Sequence, residues 1–94
     1  MQLGQDNITT GDTRRYQIDY CPFLQQGEVL TNFTLSDNGP TSSVQGGFFD
    51  NTETQLYFFV TGGIVGENFT VSVQVKTSYG QTVNDTLAYS VIGA

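Results

Sequence analysis

Apolar residues recur at every second position over much of this chain, and no segment carries the 3.6-residue period of an amphipathic helix. Phe69, Val71, Val73 and Val75 alternate with Thr70, Ser72 and Gln74. This is the pattern of a strand with one buried and one wet face. Val83, Leu87, Tyr89 and Val91 resume it after a Tyr79-Gly80 turn. Residues 14–20 place Tyr16, Ile18 and Tyr20 on one face and Arg15, Gln17 and Asp19 on the other. Leu56-Tyr57-Phe58-Phe59-Val60 is a strong strand run, whereas residues 42–49 are a weaker one interrupted by Gly46-Gly47. In residues 28–35, Leu30 falls out of phase with Phe33 and Leu35, which predicts a bulge near Thr31-Asn32.

Turn chemistry punctuates these runs. Cys21-Pro22-Phe23-Leu24 ends a strand, because proline lacks the donor that a ladder requires. Ser36-Asp37-Asn38-Gly39-Pro40 and Asp50-Asn51-Thr52-Glu53 are polar turns. Gly62-Gly63-Ile64-Val65-Gly66 reads as a hairpin loop between adjacent antiparallel strands, with positive φ at one or more glycines. The spacing predicts an all-β fold, an immunoglobulin- or fibronectin-type-III-like antiparallel β-sandwich of about seven strands. Its expected core is Tyr16, Ile18, Phe33, Leu35, Leu56, Phe58, Val60, Phe69, Val71, Val73, Val75, Leu87, Tyr89 and Val91. Residues 14–94 form this domain. Residues 1–13 hold too few apolar groups to be ordered by burial against it, so they are expected to be an extended N-terminal arm. Leu3 and Ile8 would anchor that arm to a neighbouring subunit or particle, with Arg14 and Arg15 beside it as further assembly residues.

Charge and composition narrow the function. The chain has 94 residues and a net charge of −6, with Arg14, Arg15 and Lys76 as its cations. Such a balance repels phosphate backbones, so no nucleic-acid partner is expected. No apolar run approaches the roughly 20 residues of a membrane span, and no secretory signal is visible at the start. Histidine is absent, which removes the usual general base and the commonest metal ligand. Cys21 is alone and reads as a small buried hydrophobe beside Pro22 and Phe23. The glycines at 62–66 do not suit a phosphate cradle, because a strand follows them and not a helix. Asp50, Asn51 and Glu53 match no calcium-loop signature and read as a solvated turn. Asn-x-Thr occurs at Asn7, Asn32, Asn68 and Asn84. In a secreted eukaryotic protein they would mark surface glycans. With no secretory signal visible, alternation is the better account: in Asn32-Phe33-Thr34 and Asn68-Phe69-Thr70 the ring is expected to point inward while Asn and Thr share the solvent face. No catalytic group, metal, cofactor or small-molecule substrate is expected.

Several segments also carry a resemblance. They are residues 16–24, Gly27-Glu28-Val29-Leu30, Asn32-Phe33-Thr34-Leu35, and residues 61–71 with their Gly-Gly-x-x-Gly-x-x-aromatic-Thr-Val order. The Lys76-Thr77-Ser78-Tyr79-Gly80-Gln81 turn and the last apolar strand complete the series. In this order the chain resembles the small fibre–tail adaptor proteins of tailed bacteriophages, over about residues 14–92. The resemblance implies a non-enzymatic virion protein, assembled in the host bacterial cytoplasm and present as a homo-oligomer or multi-copy array. Its partners would be tail, fibre or capsid subunits. A head decoration protein is the nearest alternative. A carbohydrate-binding module is a further one, and it requires exposed stacking platforms at Tyr57, Tyr79 or Tyr89.

Overall fold

The computed structural model describes residues 2–93, with Gln2 and Leu3 as backbone alone. The strands are β1 (Gln2–Thr9), β2 (Thr13–Asp19), β3 (Leu30–Asp37), β4 (Ser43–Phe49), β5 (Gln55–Thr61), β6 (Asn68–Thr77) and β7 (Thr82–Ile92). One 3-10 turn, Cys21–Phe23, interrupts the series. The strands make two sheets, ordered β1-β7-β6-β3 and β2-β5-β4. Their pairings are antiparallel except that of β1 with β7, which is parallel.

Two sheets form because the alternating strands each have one face to hide. Phe69, Val71, Val73 and Val75 of β6 point inward, as do Tyr89 and Val91 of β7 and Leu30 of β3. Ile18, Leu56, Phe58 and Val60 meet them from the smaller sheet. A fully buried aliphatic or aromatic side chain of this kind stabilises the fold by about 1.5–3 kcal/mol. The register of β3 on β6 shifts between Leu30 and Asn32, at the expected bulge, and this returns Leu30 to the core. The register of β4 on β5 shifts between Gln45 and Phe48, across Gly46-Gly47. A side chain at Gly47 would collide with the ring of Phe33, so the bulge lets β3 and β4 close one side of the sandwich.

Three sequence expectations need correction. Residues 2–9 of the supposed arm are β1, an edge strand of the larger sheet, and Ile8 is fully buried in this chain's own core. Counting apolar residues overlooked the backbone ladder with β7, which orders a mostly polar strand through hydrogen bonds. Ile8 is therefore not available to anchor a neighbour, and the side chain of Leu3 lies outside the described residues. Residues 62–66 are no hairpin: they cross from β5 in one sheet to β6 in the other. Gly66 has φ +92° as expected, but hydrogen bonds Gly62 N to Asp12 O and Gly11 N to Gly62 O fasten this loop to the β1–β2 turn. Cys21 is exposed, because the 3-10 turn that begins there rotates it outward while Tyr20 takes the buried position.

Phe69→Ala is expected to cost about 3–5 kcal/mol and Ile8→Ala about 2–5 kcal/mol, read by urea melts. Phe33→Ala should cost less than Phe69→Ala, since its ring is half-buried. An Ile8→Ala variant as stable as the parent would show that β1 is not part of the core.

Candidate functional site: the two ends of the sandwich

The molecule measures 44 × 23 × 18 Å, and the strand pairings set its two ends. Loops at residues 10–12, 38–42 and 62–67 gather at one end with Ile92. Loops at 20–29, 50–54 and 78–81 gather at the other. Among the described residues no group of three or more Cys, Asp or Glu is placed to hold a metal ion. What the ends offer is apolar surface, and the two are unlike.

At the first end the crossover loop displays Ile64 and Val65, 62% and 59% exposed. Aliphatic side chains held in water on a fastened loop have lost the freedom to fold away. The loop is tied by Thr10 Oγ1 to Gly63 O (2.6 Å), Ile64 N to Thr41 Oγ1 (3.1 Å) and Gly66 N to Val91 O (3.0 Å). Thr41 also donates to Glu67. Arg14 and Arg15 lie within the first residues of β2 on this side. Arg14 pairs with Asp12 at 3.6 Å, and Arg15 lies 5.4 Å over the Tyr57 ring.

At the second end Phe23 and Tyr79 are 44% and 56% exposed. Beneath them Glu28 is 3% exposed. Its carboxylate accepts from Gln25 N (2.9 Å), from Thr77 Oγ1 and from Gln81 Nε2 (3.0 and 3.1 Å). The hydrogen bond from Thr77, followed by that from Gln25, holds its pKa below the ordinary glutamate value against the opposing cost of burial. A buried carboxylate is costly unless its lone pairs are met. Here they are met by both the 20–29 loop and the β6–β7 hairpin, so Glu28 locks one to the other. Val29 and Ser78 exchange two more bonds, Ser78 N to Val29 O (2.8 Å) and Val29 N to Ser78 Oγ (3.1 Å). Tyr79 donates its hydroxyl to Gln26 O (3.0 Å). Asp19, Asp50 and Glu53 lie at this same end. Asp50 spends its carboxylate on Thr52 Oγ1 and on the Thr54 and Gln55 N–H groups, which makes the 50–54 segment a turn closed on itself.

The broad faces are different again. Each strand of the four-stranded sheet carries one Asn-x-Thr, and Asn7, Asn32, Asn68 and Asn84 all lie exposed on its outer side. Cross-strand pairs such as Ser90 Oγ to Asn68 (2.7 Å) and Gln74 Nε2 to Asn84 (2.9 Å) knit this polar face. A shallow depression of about 370 Å³ on it is lined by Gln5, Asn38, Asn68, Thr70 and Ser90 among others. On the outer side of the three-stranded sheet, Phe48 stacks on Tyr57 at 5.2 Å and 13°, and Tyr57 carries Arg15 as well. The faces of Tyr57 are thus engaged within the chain, and Tyr89 is buried. Tyr79 stands alone at a hairpin tip, so the tyrosines form no row of free platforms.

Of the residues marked from sequence for assembly, Arg14 and Arg15 are exposed, while Ile8 is internal. Sequence reasoning missed Glu28 and the Phe23–Tyr79 end. Glu28 and Thr77 are 49 positions apart, and no local pattern announces their contact.

The family described as podophage GP4 fiber-tail adaptor protein gp77 matches residues 9–89. No curated protein matches the chain significantly in sequence. Among solved structures, a 2,6-sialyltransferase from a Vibrionaceae Photobacterium species is similar, with a TM-score of 0.58 and 10% identity. The similarity covers 99% of this chain but only 18% of that one, so the chain spans a small part of that enzyme's length. The cysteine protease inhibitor EhICP2 from Entamoeba histolytica gives a TM-score of 0.47 at 11% identity, over 93% of this chain and 85% of that one. Amebosin gives 0.46 at 14% identity, over 96% and 95%. At these identities the sialyltransferase likeness shows the fold alone.

The depressed pKa of Glu28 sets a pH dependence. A carboxylate lowered by folding contributes stability above its unfolded value, and loses it as pH falls through the folded one. The melting temperature should therefore drop on acidification below the ordinary glutamate range, and drop less in a Glu28→Gln variant. Asp50, also lowered, chiefly by Thr52, acts in the same direction. Parallel acid profiles of parent and Glu28→Gln would contradict the role given to Glu28.

Proposed function

We infer that this chain, which belongs to the podophage GP4 fiber-tail adaptor family, works as a non-enzymatic β-sandwich spacer whose two ends engage different virion proteins. The observation that carries this reading is the chemical inequality of those ends. One presents Ile64 and Val65 on a fastened crossover loop with both arginines nearby; the other presents the aromatic side chains of Phe23 and Tyr79 at the end that also carries Asp19, Asp50 and Glu53. A bridge between unlike partners needs two unlike contacts, held at a fixed distance by a rigid body between them. Arg14 and Arg15 belong to the first contact. The chain acts in several copies per particle, and it takes no cofactor, nucleic acid or membrane into its role.

The rigid body is immunoglobulin-like. Its β2-β5-β4 and β3-β6-β7 groupings correspond to the B-E-D and C-F-G groupings of a constant-type domain. The first strand has moved beside the last. The amide- and hydroxyl-rich outer face of the larger sheet suits wet contacts between neighbouring copies.

Particles produced without this chain should have filled heads and tails yet lack fibres, as counted by electron microscopy and by mass spectrometry of purified virions. Particles that keep a full fibre complement would contradict the adaptor role, and loss of head stability with fibres retained would favour head decoration.

A further inference from the structure

We propose that the open edge of β1 is a contact between copies of this chain, in which it pairs antiparallel with β1 of a second copy. This goes beyond the adaptor reading and does not depend on which proteins the two ends engage. An edge strand offers N–H and C=O groups that another strand can complete, and native edges are blunted by bulges, charges or cover. Three of the four sheet edges here are blunted. β3 and β4 each carry a register shift, and Phe33 meets Phe49 at 5.3 Å across the gap between them. β2 opens with Arg14 and Arg15. Past its irregularity between Gln2 and Gly4, β1 runs to Thr9 with no further bulge and with neither proline nor cation. Its one acid, Asp6, accepts from the Tyr16 hydroxyl of the same chain.

The hydrogen bonds identify the open backbone groups. Val91 gives its N–H to Glu67 O and accepts from Gly66 N, whereas Ile92 O accepts from Thr10 N. Ladder alternation then turns Gly4, Asp6 and Ile8 toward β7, and Gln5, Asn7 and Thr9 toward the open side. Asn7 N–H accordingly meets the Asp6 Oδ1 (2.9 Å), a side-chain acceptor standing where a partner's carbonyl would. The Thr9 carbonyl already accepts from Asp12 N (3.0 Å) and would be shared. Pairing about Asn7 sets Asn7 opposite Asn7, and Gln5 opposite Thr9 of the second copy, with Asp6 beside Ile8. Sliding to pair Gln5 with Asn7 would set the two Asp6 residues opposite each other, and like charges so placed are destabilising.

Charge selects a second copy as the occupant. β2 is the edge of the smaller sheet on this same side, joined to β1 through Tyr16 and Asp6, and it runs from Arg14 and Arg15 to Asp19. A two-fold axis across β1 sets the basic start of each β2 alongside the acidic end of the other. The outer face continuing from β1 carries Thr86, Ala88 and Ser90 of β7 and Asn68, Thr70 and Ser72 of β6. No carboxylate stands on that face among the described residues, so two chains of net charge −6 can extend one sheet without repulsion across it.

Disulfide trapping of the full-length chain reads this register. On a Cys21→Ser background, single cysteines are introduced by Asn7→Cys, Gln5→Cys and Thr9→Cys, with Asn32→Cys on β3 as the control. Dimers formed in oxidised glutathione are measured on non-reducing gels. Asn7→Cys should cross-link with itself at least about tenfold faster than Asn32→Cys. Gln5→Cys and Thr9→Cys should link to each other when mixed, and poorly when alone. Adding Asn7→Pro to that mixture should abolish the link, since the Asn7 N–H takes no part in the β7 ladder and proline there blocks only the open side. The cysteine variants decide the question even where Asn7→Pro fails to fold. Asn7→Cys linking no faster than Asn32→Cys would overturn the proposal, as would Gln5→Cys linking to itself as readily as to Thr9→Cys. A chain that does not link at Asn7 yet loses attachment to particles with Asn7→Pro would assign the edge to a foreign strand, and would overturn it equally.

Discussion

Four rings cross the sandwich and hold its sheets in register. Tyr16 of β2 meets Tyr89 of β7 edge-on at 5.1 Å, and Tyr89 stacks on Phe69 of β6, also at 5.1 Å. Tyr16 in turn lies 6.2 Å from Phe58 of β5. Such pairs add about 0.5–1.5 kcal/mol beyond the area they bury. Burial, with the Asp6 carboxylate adding to it, pushes the Tyr16 pKa up to about 12, so the hydroxyl stays protonated and donates to Asp6 at 3.1 Å. That bond carries the stack out to β1, the edge strand of the opposite sheet. Burial likewise raises the pKa of Tyr89, and of Tyr20, whose hydroxyl faces Asp85. The spacing between the two ends is only as rigid as this cross-sheet packing.

Alternation made β2, β5, β6 and β7 legible in the sequence, because each hides one face and the side-chain period of a strand is two. The bulge in β3 was legible too, from the phase slip at Leu30, whereas the glycine pair at 46–47 read only as an interruption of β4 and not as the register shift found there. Partnership was not legible. The turn after Thr61 contains the residues of a hairpin, yet β5 and β6 lie in different sheets, and local chemistry does not distinguish a hairpin from an arch. The polar strand β1 is ordered by β7 at the far end of the chain. The Phe59 and Tyr57 faces of β5 carry a different lesson. An apolar run suggests burial on both sides, and Phe48 with Arg15 supplies the second cover from within the chain.

The candidate site was less visible than the fold for the same reason. Phe23 looked like part of a strand break and Tyr79 like part of a turn, and each is correct locally. Their segments are tied by Glu28 to Thr77 and Gln81, by Ser78 to Val29 and by Tyr79 to Gln26, contacts between positions about 50 apart that no local pattern announces. The resemblance to fibre–tail adaptors was carried by motif order across most of the chain, which did not require these contacts to be known.

The central claim is that an end-to-end rigid sandwich joins two different proteins. Cryo-electron microscopy of the native tail, at a resolution that traces strands, tests it most directly. The account predicts the 44 Å axis spanning from tail to fibre, with the 62–67 loop and the 77–81 hairpin touching different partners. Density for this chain on the capsid, or lying on the tail with both ends in solvent, would contradict it.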